Sequence, residues 1–122
     1  MKGTDDATAA NNNADANTPT DVADAWLTDD VRQVATAVVA LRDEDEALLF
    51  LRDLCTVTEL REFGERWHVA RMLDAGRSYA EIQRETGASS ATISRVGQWL
   101  RYGRGGYRLV IDRLAQREAG RR

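Results

Sequence analysis

Beginning at Ser78 the chain reads Ser-Tyr-Ala-Glu-Ile-Gln-Arg-Glu-Thr-Gly-Ala-Ser-Ser-Ala-Thr-Ile-Ser-Arg, and this segment is compatible with few folds. Ser78 followed three residues later by Glu81 forms a capping box, which predicts a short helix over 79–86. Gly87 stands where a helix commonly ends in a left-handed residue. Ser89 can then cap a second helix. The segment therefore predicts two helices joined by a tight turn.

The second predicted helix has two chemically different sides. Ile93, Val96 and Leu100 recur at helical spacing and are expected to face the protein. The small or polar residues of the other side are Ser90, Ala91, Ser94, Arg95 and Gln98. Small residues near a helix N-terminus let the backbone and short hydroxyls approach base edges in a DNA major groove. The pattern favours a DNA-binding helix-turn-helix over an ordinary helical hairpin with a solvated face.

Charge is distributed unevenly along the 122 residues, although the formal net charge is only −3. Residues 1–30 carry seven Asp against one Lys, whereas residues 76–122 carry ten Arg against four acidic residues. The positive field therefore coincides with the predicted helix-turn-helix, as expected for a nucleic-acid-binding surface. The basic residues are almost all Arg, whose planar fork suits phosphate and guanine contacts.

The domain organisation follows from composition and periodicity. We predict a disordered acidic tail over residues 1–25, because large apolar residues are almost lacking there. A helical DNA-binding domain is predicted over 26–118, with the helix-turn-helix at 78–101, and a basic C-terminal tail over 119–122. Nothing in the chain alternates as a strand does, so the predicted fold class is all-α with about six helices.

Four helices are predicted outside the helix-turn-helix. Thr28 or Asp29 caps the first, Asp43 to Leu54 forms the second, and Thr56 with Glu59 opens a long helix to about Ala75. The expected apolar stripe of the first helix is Val31, Val34, Val38 and Leu41; that of the long helix is Leu60, Phe63, Trp67, Ala70 and Leu73; that of the last helix is Tyr107, Val110, Ile111 and Leu114. Faces this wide suggest a homodimer, since one short chain cannot bury them all.

No other residues form a catalytic or metal-binding pattern. Cys55 is the only cysteine, which excludes an internal disulfide and suits a reducing cytoplasm. His68 is the only histidine, so a metal site is not expected. The Gly103–Gly106 loop lacks the Lys-Ser/Thr of a phosphate-binding loop and is interpreted as a turn. No apolar run is long enough to span a bilayer, so no membrane association is expected. We also expect a cytoplasmic protein without enzyme activity, cofactor or metal.

Three motifs resemble a known family. They are Thr56-x-x-Glu-Leu-Arg-Glu-Phe-Gly-Glu-Arg66, Gly87-Ala-Ser-Ser-Ala-Thr-Ile-Ser-Arg-Val96 and Leu100-x-Tyr-Gly-x-Gly-Gly-Tyr107. From about Thr36 to Leu114 the chain resembles the Trp repressor superfamily of bacterial regulators, and within it the TrpR-related YerC/YecD branch. The resemblance implies an intertwined, all-helical homodimer that binds operator DNA.

The resemblance also implies where a ligand would bind in the tryptophan-sensing members. There, two arginines sandwich the indole of the corepressor, and Arg66 and Arg95 stand at the matching positions. Those members have Gly directly after the second arginine and a small Ser four residues after it, whereas this chain has Val96 and Trp99. Because protein interiors have little spare volume, the added bulk is expected to fill the indole slot. We therefore expect no binding of free tryptophan.

The sequence thus predicts a sequence-specific, homodimeric regulator of transcription, with repression the favoured sign and double-stranded DNA the partner. The residues expected at the DNA are Gln83, Arg84, Ser89, Ser90, Ala91, Thr92, Ser94, Arg95, Gln98 and Arg101. Two alternatives stay open. One is a protein-interaction module that keeps the helix-turn-helix shape. The negative net charge and the acidic tail favour this alternative. The other is a targeting subunit of a DNA enzyme such as a recombinase.

Overall fold

The computed structural model describes residues 25–121 and contains six helices, with no strand in that range. Nearly all of the predicted acidic tail, and the last residue of the predicted basic C-terminal tail, lie outside the described residues. The helices are α1 Asp29–Val39, α2 Glu44–Leu54, α3 Val57–Asp74, α4 Tyr79–Thr86, α5 Ser90–Tyr102 and α6 Gly106–Gly120. The all-α prediction with about six helices is confirmed. The chain divides into two units, one ending at Leu49 and the other beginning at Phe50.

The first unit holds α1 and the start of α2. The Thr28 side chain caps α1 by accepting a hydrogen bond from the Val31 N–H at 3.2 Å, as one of the two predicted caps. Leu41, expected to extend the apolar stripe of α1, lies beyond the end of that helix. The segment after α1 instead leads into α2. The Asp43 carboxylate accepts a hydrogen bond from the Glu46 N–H at 2.9 Å, as a helix cap does.

The apolar side chains of this unit are not buried in a single chain. Val31, Val34 and Val38 on α1 are exposed, and Leu48 and Leu49 on α2 are more than half exposed. Burying such side chains is the main source of stabilisation in small helical proteins. These faces therefore have the character of surfaces that another chain covers.

In the second unit, caps define where α3, α4 and α5 begin. Thr56 with Glu59 and Ser78 with Glu81 form the two predicted capping boxes, each with both reciprocal hydrogen bonds present. The Ser89 hydroxyl accepts a hydrogen bond from the Thr92 N–H at 3.1 Å and caps α5. Hydrogen bonds of this kind satisfy the N–H groups that have no partner within a helix. The helix starts predicted from these residues are confirmed.

The core lies where α4 and α5 pack against the C-terminal half of α3. It consists of Val69, Ala70, Met72, Ile82, Ala88, Ile93 and Val96. The buried side predicted for the long helix was only partly right. Ala70 is buried, but Phe63 is 45% exposed, and the unpredicted Val69 and Met72 are in the core. The packing of α4 and α5 against α3 decides which of its apolar residues are buried.

The last helix, α6, is attached to α3 by two side-chain contacts. The Tyr107 ring lies parallel to the Trp67 ring, with an interplanar angle of 14° and centroids 6.2 Å apart. The Arg108 guanidinium pairs with Asp74 at the end of α3 and with Asp112 on α6. Tyr107 and Ile111 are half-buried, whereas Val110 and Leu114 are exposed. The apolar face predicted for this helix is therefore only partly covered within one chain.

Truncation of Ile93 tests the packing that supports α5. Ile93 is fully buried, and Ile93→Ala should lower the free energy of unfolding by about 2–5 kcal/mol, because a cavity is added to the lost burial. The measurement is urea unfolding at one fixed protein concentration, since association would also affect stability. The control, Gln98→Ala, removes an exposed side chain of the same helix and should change stability by less than about 0.5 kcal/mol. Equal effects of both substitutions would contradict this description of the core.

Candidate nucleic-acid interface

The turn between α4 and α5 is rigidly hydrogen-bonded. Gly87 ends α4 with φ 76°, a left-handed conformation that glycine adopts without steric cost. The Thr86 hydroxyl donates to the Ile82 carbonyl at 2.7 Å and accepts from the Ala88 N–H at 3.0 Å. Ala88 is buried, so the turn is held against the core. The two helices therefore keep a defined relation to each other.

One side of α5 is embedded and the other is exposed. Ile93 and Val96 are 0% and 2% exposed and anchor the helix. The residues predicted for the opposite side are all exposed: Ser90, Ala91, Ser94, Arg95, Gln98 and Arg101. Gln83, Arg84 and Ser89 are exposed as well. Thr92 differs from the other predicted residues, because it is half-buried and its hydroxyl accepts a hydrogen bond from Ser89 at 3.1 Å.

Two acidic residues of α4, Glu81 and Glu85, are engaged by nearby basic side chains. Arg77 lies 3.4 Å from Glu81 and 3.0 Å from Glu85, and His68 approaches Glu85 at 3.8 Å. A hydrogen bond from the Ser78 backbone N–H, followed by the charge of Arg77, lowers the pKa of Glu81. The hydrogen bond to Glu85 and the charge of Glu81 raise the pKa of Arg77. The charge of Arg77 therefore partly compensates these two acids. Glu62 and Glu65 of α3 lie in a group with Arg95 and add negative charge beside α5.

Beside the exposed side of α5 lies a cavity of about 750 Å³ between α3, α5 and α6. Its lining consists of Arg66, Trp67, Thr92, Arg95, Val96, Trp99, Arg104, Gly106, Tyr107 and Val110. Arg66 and Arg95, which the resemblance places at a ligand site, do line the same space. The lining contains three arginines and no acidic residue.

The two bulky residues expected to fill this space form its wall in a single chain. Val96 is packed into the core, and Trp99 is 56% exposed. The expectation of a filled slot is thus not met within one chain, because the Trp99 ring turns along the surface toward Gly103. A Cβ at Gly103 would lie 2.4 Å from the Trp99 carbonyl oxygen and 2.7 Å from its ring atom Cε3.

Gly103 was interpreted from sequence only as part of a turn, and its contact with Trp99 was missed. The signal available in the sequence was a glycine four residues after a tryptophan, one helical turn away. Sequence reasoning also missed the stack of Trp67 on Tyr107, two residues that both line the cavity. The first contact is local to α5 and its C-cap, whereas the second depends on how α6 packs against α3.

The described residues hold neither a cluster of metal ligands nor a membrane-spanning helix. Residues 25–121 contain no group of three or more His, Cys, Asp or Glu residues that could hold a metal ion. In the same range, no helix is both long enough and apolar enough to cross a bilayer. The positively charged, exposed face of α5 is therefore the candidate site of this unit.

Comparison with known proteins identifies the family. The family model described as Trp repressor protein matches residues 29–115. The chain belongs to the Trp repressor family. It is 43% identical over 86 residues to the uncharacterized protein YerC of Bacillus subtilis, a match that covers 70% of this chain and 83% of that protein.

Solved structures agree with this assignment. A TrpR-like protein from Eubacterium eligens is 44% identical, with a TM-score of 0.70, and the match covers 74% of this chain and 93% of that one. A candidate Trp repressor from Staphylococcus aureus is 34% identical, with a TM-score of 0.71, over 80% of this chain and 95% of that one. Family membership supports a DNA-binding regulator and not an enzyme. The recognised family and the all-α fold class are thus confirmed.

Substitution of Gly103 tests the contact that orients Trp99. Gly103→Ala should destabilise the protein by about 1–3 kcal/mol, because the new Cβ would overlap a backbone carbonyl that cannot move alone. The control is Gly64→Ala, within α3, where no atom lies within 4 Å of an added Cβ. That control should stabilise by up to about 1 kcal/mol, since alanine is the better helix former. Thermal unfolding followed by circular dichroism measures both, and equal shifts would contradict the contact.

Proposed function

We propose that this protein is a sequence-specific, DNA-binding transcriptional repressor that uses α4 and α5 as a helix-turn-helix. The observation that carries the proposal is the exposed, small and polar side of α5, whose opposite side is fixed by Ile93 and Val96. Small side chains at Ser90, Ala91 and Ser94 allow the helix backbone to come close to base edges. DNA binding then needs little rearrangement of this unit.

Arginines on the same side supply the affinity. Arg84 on α4 and Arg95 and Arg101 on α5 are exposed and can meet phosphates that border the groove. Gln83 and Gln98 lie at the edges of this surface, where their amides can donate to phosphate or base atoms. Ser89 and Thr92 form the hydrogen-bonded start of α5, a helix N-terminus that favours nearby anions. Together these ten residues make up the proposed DNA-binding surface.

The active form is proposed to be a cytoplasmic homodimer. Exposed apolar side chains on α1, on α2 and on α6 support this, because each face has the character of an uncovered interface. Two copies related by a two-fold axis would present two reading helices to half-sites spaced by roughly 34–36 Å along the duplex. Operators are accordingly expected to be near-palindromic.

Free tryptophan is proposed not to serve as corepressor. The support is the altered lining: Val96 and Trp99 line the same cavity as the two arginines, which changes the shape that an indole would meet although the cavity is not filled within one chain. The residues beside those arginines therefore differ from the small ones that the tryptophan-sensing members carry. DNA binding is expected without added ligand.

Arg95→Ala tests the DNA-binding surface. Its affinity for a selected operator should fall, and the slope of log K against log salt should fall by about one if the lost contact is to phosphate. Gel shift with operators selected from a random pool is the measurement, repeated at several salt concentrations. The control, Arg117→Ala, removes a charge near the end of α6 and should leave affinity nearly unchanged. Absence of any specific shift by the natural protein would favour a protein-interaction module or targeting subunit instead.

Calorimetry with L-tryptophan tests the effector proposal. We expect no heat of binding up to millimolar ligand, and the same operator affinity with and without it. The reason is the altered wall beside Arg66 and Arg95. Binding in the micromolar range, or a several-fold change in operator affinity, would contradict this part of the proposal while leaving DNA binding itself intact.

A further inference from the structure

Gly97 lies in the interior of α5, where glycine is a poor helix former. Its backbone is nevertheless buried, although it has no side chain of its own. The Arg101 side chain provides the cover. A Cβ built on Gly97 would lie 3.1 Å from Nη2 of Arg101 and 3.6 Å from its Cζ and Nη1. The whole guanidinium group thus lies over Gly97, in space that any other residue would partly occupy.

This position moves the charge of Arg101 back along the helix. Arg101 is one turn after Gly97, and helical side chains lean toward the N-terminus. At 3.6 residues per turn, Ser90, Ser94 and Arg101 fall within about 20–40° of one another around the helix axis. The guanidinium is therefore drawn toward the middle of the stripe that begins with the two serines. Without Gly97 it would extend at the C-terminal end of α5.

The Arg101 side chain is exposed, and its guanidinium rests against Gly97. Among residues 25–121, no acidic side chain forms an ion pair with it. Both Nη groups retain N–H donors that a neighbouring carboxylate does not occupy. Arginine presents these donors as a planar fork, which matches the O6 and N7 acceptors of guanine in the major groove.

We propose that Arg101 reads a guanine base edge, and that Gly97 determines specificity by holding its guanidinium over the middle of α5. The proposal rests on the proposed DNA-binding function and replaces a phosphate role for this arginine. Gly97 is a positioning residue, since it acts through Arg101. A Cβ at Gly97 would force Nη2 of Arg101 to move by a few tenths of an ångström.

The first test is Gly97→Ala, for which stability and DNA binding should change in opposite directions. The contact is with the far end of a flexible side chain, so the added methyl group moves the guanidinium and leaves the backbone in place. The melting temperature should rise by a few degrees, as for other helical glycines replaced by alanine. Affinity for the selected operator should fall several-fold. The matched control, Gly64→Ala, should raise the melting temperature without changing affinity.

The second test separates a base contact from a phosphate contact. In selection from a random pool, Arg101→Ala should lose the preference for guanine at one position in each half-site, with about 10-fold or greater loss on the original operator. Gly97→Ala in the Arg101→Ala background should cause no additional loss, because the two residues act on one contact. An added loss in that background would overturn the role of Gly97.

A uniform loss across all sequences, with a salt slope lower by about one, would overturn base reading by Arg101 and leave the proposed regulator function standing. If the natural protein itself selected no sequence, both proposals would fall together. Loss of the guanine preference alone, with other positions unchanged, would support the assignment.

Discussion

The burial of Ile93 and Val96 against α3 and α4 is the contact on which the rest of this unit depends. Both side chains are closely packed with Val69 and Ile82, which are fully buried. Because α5 has one embedded side, its other side is necessarily presented to solvent in a fixed direction. The exposed serines and arginines of α5 therefore owe their orientation to apolar packing, and their own interactions contribute little to it.

The turn before α5 and the chain bend at Gly103 after it give the helix-turn-helix a defined geometry. At the N-terminal end, the left-handed Gly87 and the two hydrogen bonds of Thr86 fix the approach of α4. At the C-terminal end, Trp99 packs on the bare backbone of Gly103. Glycine serves a different purpose at each place: a positive φ at one and close approach at the other. A third glycine, Gly97, makes room for a side chain on the helix surface.

The cavity beside α5 lies where the family resemblance implies a ligand site, because Arg66 and Arg95 both line it. It is also lined by Val96 and Trp99. Positive charge and aromatic surface are thus retained, while the small residues that would admit an indole are replaced. The same arginine, Arg95, borders both the cavity and the exposed side of α5. What occupies the cavity therefore bears directly on the direction of a residue proposed to meet DNA.

Interactions between residues close in sequence determine where several helices of this protein begin and end. Helix starts are predicted by caps: Thr56 for α3, Ser78 for α4 and Ser89 for α5. Gly87 predicts the end of α4. Each of these signals depends on hydrogen bonds or steric limits within a few residues. Periodicity likewise predicts the buried and exposed sides of α5. Tertiary structure decided which residues of α3 are buried and that Trp67 stacks on Tyr107. These depend on the angles between helices and on side-chain rotamers, which residues distant in sequence set together and no local pattern encodes.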